Sequence, residues 1–298
     1  MRIVMIKYYR KKVKIMDGTP IEFYKMQGAG NDYIYVDCFD LEIPDPGKLS
    51  EKISDRHFGI GGDGLVLILP SEKADAKMRM FNADGSEGKM CGNAIRCVGK
   101  YLYEIRGIKR KVISVETLSG IKTLYISAEN GKVKSVSVDM GKAVLDPKKI
   151  PVLAEGESVI NRPLLVCGKQ VSITCVSMGN PHCVTFDYDP DALDIEKVGK
   201  EFENNPLFPE RVNTEFIKVI APRTVKMRVW ERGSGETLAC GTGACAAVVA
   251  AVLNGYCPMG ENVKVILPGG ELYIVYKADC GVTLTGGAEF VFKGTINV

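Results

Sequence analysis

Two histidines and one tryptophan are all that 298 residues hold of these side chains, and none of the ten cysteines is paired as CxxC. A structural zinc site needs clustered ligands at short spacing, so the sequence predicts no metal. No long hydrophobic run is present either. The most apolar stretch, ACAAVVAAVL at 244–253, is about half of the ~20 residues a bilayer crossing requires, and it reads as a buried helix. Charge of one sign is also missing: 39 Lys and Arg stand against 36 Asp and Glu, a net charge of +3. That excludes a bulk electrostatic case for nucleic acid or a membrane surface and favours a small, discrete ligand. The basic start, MRIVMIKYYRKKVKIMDG, lacks the uncharged core of a secretory signal, so it reads as a short extension or first strand. Scattered cysteines in a chain of this length suit a reducing cytoplasm better than a disulfide framework.

What is there is periodic. PIEFYKM and YIYVDCF flank the turn QGAGND as a hairpin, a helix is expected over DPGKLSEKISDRHF, and LVLILP after GIGGDG reads as a buried strand. A long helix follows, with Ile95, Val98, Leu102 and Ile105 spaced by three and four and Gly107 closing it. Strands KVISVET, IKTLYIS and KVKSVSV come next. The second half runs through the same order: VSITCVS and CVTFDY around MGNPH, a helix at LDIEKVGKEFE, the strand TEFIKVI, a second long helix ending at Gly255, then NVKVILP, ELYIVYK and GVTLTG. Asn31 to Cys91 spans 60 residues, as does Asn180 to Cys240, and the 149 residues separating the two cysteines also separate Arg79 from Arg228, Glu87 from Glu236 and Gly92 from Gly241. The repeat predicts duplication into two pseudo-symmetric domains.

Cys91 in MCGNAIRCVG and Cys240 in ACGTGACAAVV therefore form a matched pair, each at the expected start of a buried helix. Backbone N–H groups in a helix's first turn lack internal partners and carry partial positive charge. Thiolates are expected there, together with a site for one carboxylate between them. Two thiols on opposite faces of the carbon next to that carboxylate could remove the α-proton from one side and return a proton on the other. A free cysteine is most often a small buried hydrophobe. Cys38, Cys97, Cys167, Cys175, Cys183, Cys245, Cys257 and Cys280 receive that reading; Cys91 and Cys240 do not, because they share a register and a following glycine.

KMQGAGNDYIYVD, DRHFGIGGDG, FNADGSEGKMCGNAIRC, GNPHCV, RVNTEF and WERGSGETLACGTGACAA resemble, in content and order, the signature blocks of the diaminopimelate epimerase family. The resemblance covers nearly the whole chain from Phe23. It implies an α/β (α+β) fold of two domains, each a mostly antiparallel sheet or barrel wrapped around a central helix, with the site in the cleft between them. We place the domains at 1–141, with the strand 287–298 returning to it, and 142–286. The implied activity is cofactor-independent epimerisation of LL-2,6-diaminopimelate to its meso form in lysine biosynthesis, and the family also admits a homodimer. The resemblance makes Cys91 and Cys240 the acid–base pair, with His182 and Glu231 beside them. Asn31, Asn82, Asn180, Asn213 and Arg232 match substrate-holding positions, while Gly92, Asn93, Gly241 and Thr242 supply helix-start donors. Gly64 departs from those members that carry a glutamine reaching the ligand, and the segment before Asp17 exceeds the usual start.

Asparagine beside glycine often only makes a turn, so Asn31 and Asn180 draw their assignment from the blocks. His57 matches no block and reads as a surface or helix-end residue. GIGGDG satisfies the dinucleotide-binding pattern G-x-G-x-x-G, but that fingerprint follows a strand and opens a helix, whereas this run follows a helix and enters a strand. Proline and hydroxyproline racemases also pair two cysteines, yet a cyclic imino acid has no need of so many amide and guanidinium groups. A thiol redox sensor or amino-acid binding protein on the same scaffold is the non-enzymatic alternative.

Overall fold

The computed structural model describes residues 13–14 and 18–297. The basic first segment lies outside the described residues apart from Val13–Lys14, which pairs in parallel with Leu41–Glu42. Among the described residues, no helix is long and apolar enough to cross a membrane.

The hairpin forms from strands Pro20–Gly28 and Asn31–Asp37, with a tighter turn than the six residues expected. Ala29 and Gly30 alone make it, both at positive φ (54° and 81°). Helix α1 (Pro46–Ser54) starts from the Asp45 cap, whose side chain accepts from the Lys48 N–H, and it stops four residues short of the expected end. His57 lies beyond it and is exposed. Helix α2 (Gly92–Glu104) buries Ile95, Val98 and Leu102, but Ile105 falls at its end and is 45% exposed. Helices α3 (Ile195–Glu203) and α4 (Gly241–Leu253) occupy the expected places in the second half.

The halves superpose in sequence. α2 and α4 coincide after the 149-residue shift, and so do strands Ala76–Asn82 and Thr224–Glu231 to within a residue. Equivalent strands pair in equivalent registers: Tyr33 opposite Gly64 in one half, His182 opposite Asn213 in the other. Arg79 grips Glu87 with two hydrogen bonds, 2.7 and 2.9 Å, and Arg228 grips Glu236 with two of 2.7 and 3.0 Å.

Strand Lys132–Lys142 meets strand Gly281–Gly286 antiparallel and joins the two sheets. The C-terminal strand Glu289–Asn297 crosses back to pair with Pro20–Gly28. It does for the first half what Arg162–Val166 does for the second by pairing with Lys169–Ser177. α2 packs on strands from both ends of its sheet, Pro20–Gly28 and Lys132–Lys142, and α4 does likewise, so each sheet curls around one helix. The apolar side chains of α2, of α4 and of the sheet faces turned to them form one shared core. Both helix starts open at the join between the halves.

Candidate active site

Cys91 and Cys240 are the N-cap residues of α2 and α4, each with extended backbone (φ −128° and −113°). Glycine follows each one, and the lack of side chains lets the helix starts abut: a Cβ built on Gly241 would lie 3.6 Å from the Gly92 Cα. The Asn93 side chain spans the join, donating 3.2 Å to the carbonyl of Ala239, the residue before Cys240. Asn93 is itself held by Arg96, whose Nη1 donates to the Asn93 side-chain oxygen at 3.0 Å and whose Nε donates to Gly287 O at 3.1 Å. Arg96 is fully buried, and the sequence alone does not single it out.

The environments of the two thiols differ. Cys91 is partly exposed and donates to the Asn31 Oδ1 at 3.3 Å, while the Asn31 amide nitrogen donates to Asp63 at 2.7 Å. Cys240 is buried, with the Thr242 hydroxyl at 3.4 Å and the Gly243 N–H donating to its sulfur at 3.4 Å. The sequence predicts thiolates at both positions, and the depth at which both sulfurs lie works against this. Burial pushes both thiols up, and it outweighs the amide donors of the helix starts. Cys91 has partial compensation from backbone N–H groups and the Arg96 charge. Cys240 is driven well up, since the Glu231 and Glu215 carboxylates add to burial.

Glu231 lies beside Cys240. Burial raises its carboxyl, against the lowering effect of hydrogen bonds from Thr237 and Cys240 and of the His182 charge. The His182 ring is fully buried and fixed from both sides, with Nδ1 2.7 Å from Glu215 Oε1 and Nε2 3.0 Å from Asn180 Oδ1. Glu215 is the largest omission from the sequence reading. It sits inside RVNTEF, two residues after Asn213, and strand alternation alone puts it on the face of Asn213, toward the start of α4. Its Oε2 has no hydrogen-bond partner among the described residues, and its Oε1 would be 2.6 Å from a Cβ on Gly243.

Asn213 acts first on the backbone: Oδ1 accepts from the Arg232 N–H at 2.8 Å and Nδ2 donates to Pro181 O at 3.0 Å. The Arg232 guanidinium is partly exposed and gives Nη1 to Glu210 O at 2.8 Å, which leaves most of its fork for a ligand. Asn82 donates to the Ser86 hydroxyl at 2.9 Å, and its Oδ1 stays available. The departure at Gly64 has a backbone cause: at φ +154°, a Cβ there would lie 2.0 Å from Phe81 O. The packing reading fails for Cys167, which is exposed at a turn with φ +51°. The surface hollows beside Phe186 and Tyr256 and beside Leu153 and Leu207 contain none of the site residues.

The diaminopimelate epimerase family model matches residues 23–145 and 174–291. The chain belongs to the diaminopimelate epimerase family. Members similar to it include the diaminopimelate epimerase of Acetivibrio thermocellus, 53% identical over 279 residues that span 93% of this chain and 99% of that one. That of Desulfovibrio desulfuricans is 56% identical over 282 residues, 92% of this chain and 97% of the other. The diaminopimelate epimerase of Methanococcus maripaludis strain C5 is 52% identical over 279 residues, 93% of this chain and all of its own. The fold extends further than the family. A hydroxyproline epimerase from Agrobacterium vitis, solved with trans-4-hydroxy-L-proline, superposes with a TM-score of 0.66 at 14% identity, covering 95% of this chain and 94% of that one. A probable proline racemase from Agrobacterium radiobacter, with bound carbonate, gives 0.68 at 16% identity, covering 93% and 92%. At such identities the likeness is one of fold alone.

Proposed function

We propose that this member of the diaminopimelate epimerase family converts LL-2,6-diaminopimelate to the meso form by a two-base reaction between Cys91 and Cys240. The observation that carries the reading is the pair of N-cap thiols on abutting helix starts, one from each half. An α-carbon held between them can lose its proton to the thiolate on one face, become planar and carbanion-like, and gain a proton from the thiol on the other, with no electron sink beyond the site's own donors.

The reaction needs one thiolate and one thiol. Cys91 is the better candidate for the thiolate, because two backbone N–H groups and Arg96 oppose its burial with only Glu231 against them, whereas at Cys240 the carboxylates of Glu231 and Glu215 both add to burial and outweigh Thr242 and one N–H. An entering ammonium group brings positive charge into the buried space and favours release of the Cys91 proton to solvent, while Cys240, beside two carboxylates, keeps its own. Cys91 then takes the α-proton as Cys240 delivers its own to the opposite face, which leaves a Cys91 thiol and a Cys240 thiolate. Glu231, in contact with Cys240, is suited to carry the proton that restores the starting state. Helix-start amides from Gly92, Asn93, Gly241 and Thr242 offset the charge that grows on the substrate carboxylate. Asn31, Asn82, Asn180, Asn213 and Arg232 hold the remaining polar groups, and the Glu215 carboxylate fixes the His182 ring among them.

The enzyme works in the cytoplasm in this reading, where thiols stay reduced. Its two units are 1–141 together with 287–298, and 142–286; the crossing of Glu289–Asn297 to Pro20–Gly28 supports that division. The test is incubation of the pure protein with LL-diaminopimelate in deuterated water, without additions, followed by NMR. Loss of the α-proton signal with appearance of the meso isomer is expected. Binding without exchange would instead favour an amino-acid binding protein on this scaffold.

A further inference from the structure

Site residues of the second half lie abreast on three adjacent strands. His182 pairs with Asn213, and one step beyond the Thr214–Trp230 pair Asn213 faces Glu231. The first half has the equivalent row, Tyr33 opposite Gly64 and Gly64 opposite Asn82, each 149 residues before its counterpart. His182, Asn213 and Glu231 line the Cys240 side. In the Cys91 row the middle position has no side chain, and Tyr33 is the one member without a role in the reaction described so far.

Tyr33 is placed to have one. It shares a strand face with Tyr35, whose hydroxyl reaches the Ala94 carbonyl in the first turn of α2 at 3.4 Å, and it lies two residues nearer the hairpin turn that carries Asn31. Its ring covers Gly64, with Cε1 2.7 Å from where a Cβ would stand. Burial, and after it the charges of Cys91, Asp63 and Glu231, raise the phenol far above its ordinary range against the lowering effect of its hydrogen bond with the Asn31 side chain, so the hydroxyl stays protonated beside a residue of the substrate-holding set. We propose that Tyr33 is a substrate-contacting residue, its hydroxyl supplying at the Cys91 side of the cleft the polar contact that the empty position at Gly64 cannot. This rests on the epimerase reading. A neutral donor beside a thiolate can hold a substrate carboxylate without competing for the α-proton, a separation that a readily titrated imidazole would not keep.

Tyr33→Phe removes one oxygen and keeps the ring that packs over Gly64. It is expected to raise KM for diaminopimelate about tenfold, the equivalent of one hydrogen bond to a charged group, with kcat changed less than about threefold and the thermal midpoint held. Tyr35→Phe, which deletes the neighbouring hydroxyl on the same face, should leave KM unchanged. Tyr33→His, which restores a donor as in the other half, should recover part of the loss. Equal KM values for the wild type and Tyr33→Phe would overturn the proposal, and so would matching KM increases in Tyr33→Phe and Tyr35→Phe. If Tyr33→Phe fails to fold, the His variant decides alone: a folded Tyr33→His protein whose KM rises less than tenfold supports a donor role, and one whose KM rises tenfold or more refutes it. A wild-type protein that exchanges no α-proton would instead defeat the epimerase reading on which the proposal rests.

Discussion

Gly92 and Gly241 stand face to face where the two helix starts meet, with only 3.6 Å between the Gly92 Cα and the place a Cβ would take on Gly241. A methyl group there needs only the end of the Leu284 side chain, 3.3 Å away, to give by a few tenths of an ångström, whereas a branched side chain meets the Gly92 backbone as well. Gly241→Ala should therefore keep most activity. Gly241→Val should lower kcat about 100-fold by parting the thiols on the order of 1 Å, with a much smaller change in thermal midpoint. Steady-state kinetics beside a melting curve tests this, and equal activity in the two variants would show that the spacing of the helix starts is not what matters.

Cys91→Ala and Cys240→Ala should each reduce epimerisation by about 10³-fold or more, because each thiol serves one face of the substrate. Cys91 makes no side-chain cap, and Cys240 makes one weak cap to the Gly243 N–H at 3.4 Å, so alanine at either position costs about 1 kcal/mol or less of helix capping. Circular dichroism should be unchanged in both variants, and appreciable turnover by either one would sink the two-base assignment.

The thiols should also differ in reactivity. Cys91 is partly exposed and eased by Arg96, while Cys240 is buried against Glu231 and Glu215. Iodoacetamide followed by peptide mapping should label Cys91 at a lower pH than Cys240, since the thiolate is the reacting form. Exposed Cys167 provides an internal reference. Labelling of Cys240 ahead of Cys91 would reverse the proposed resting state of the pair.

Much of this site was legible in the sequence, for an identifiable reason. Duplication prints the same local grammar twice, so Cys91 and Cys240, the glycines after them, and the Arg79–Glu87 and Arg228–Glu236 pairs could be matched by spacing alone. Glu215 and Arg96 could not, and Tyr33, although it stands 149 residues before His182, differs from it in chemistry. Each sits inside a regular strand or helix, where its spacing fits a core position, and its polar role comes only from a tertiary partner. That partner is the His182 ring for Glu215, Asn93 and the Gly287 carbonyl for Arg96, and the row with Gly64 and Asn82 for Tyr33. The charge state of the thiols was misread for a related reason. Helix-start amides are visible in sequence, whereas the burial that outweighs them depends on how closely the two halves meet.

Alkaline pH should destabilise the protein. An exposed thiol titrates at about 8.5, whereas burial pushes Cys97 up to about 11 and raises Cys240 and Cys245 as well. The folded chain thus binds more protons than the unfolded one above about pH 8.5, and stability present below that value is lost progressively toward about pH 11. Thermal midpoints measured across this window should fall, and more gently in Cys97→Ala. A flat profile would mean that these thiols are not held neutral by the fold.

Substrate choice should turn on Arg232. A simple α-amino acid needs one carboxylate site, and the helix starts at Cys91 and Cys240 already offer it. Arg232 would be surplus for such a ligand, yet Asn213 fixes its backbone and a single carbonyl, that of Glu210, occupies one end of its fork. That arrangement suits a second, distal carboxylate, held bidentately in the planar geometry that guanidinium provides and ammonium does not. Lysine has the chain and the distal ammonium but no distal carboxylate, so Arg232 and Asn82 would be left without their ligand. The loss should be on the order of 3 kcal/mol in transition-state binding, roughly 100-fold in kcat/KM. Arg232→Lys should impair diaminopimelate turnover to a similar degree while leaving the poor rate with lysine nearly as it was, since that substrate never engaged the fork. Competition between the two substrates in deuterated water reads both effects together. Epimerisation of lysine at a rate comparable to diaminopimelate, or unaltered diaminopimelate kinetics in Arg232→Lys, would remove the distal clamp and reopen the choice of substrate.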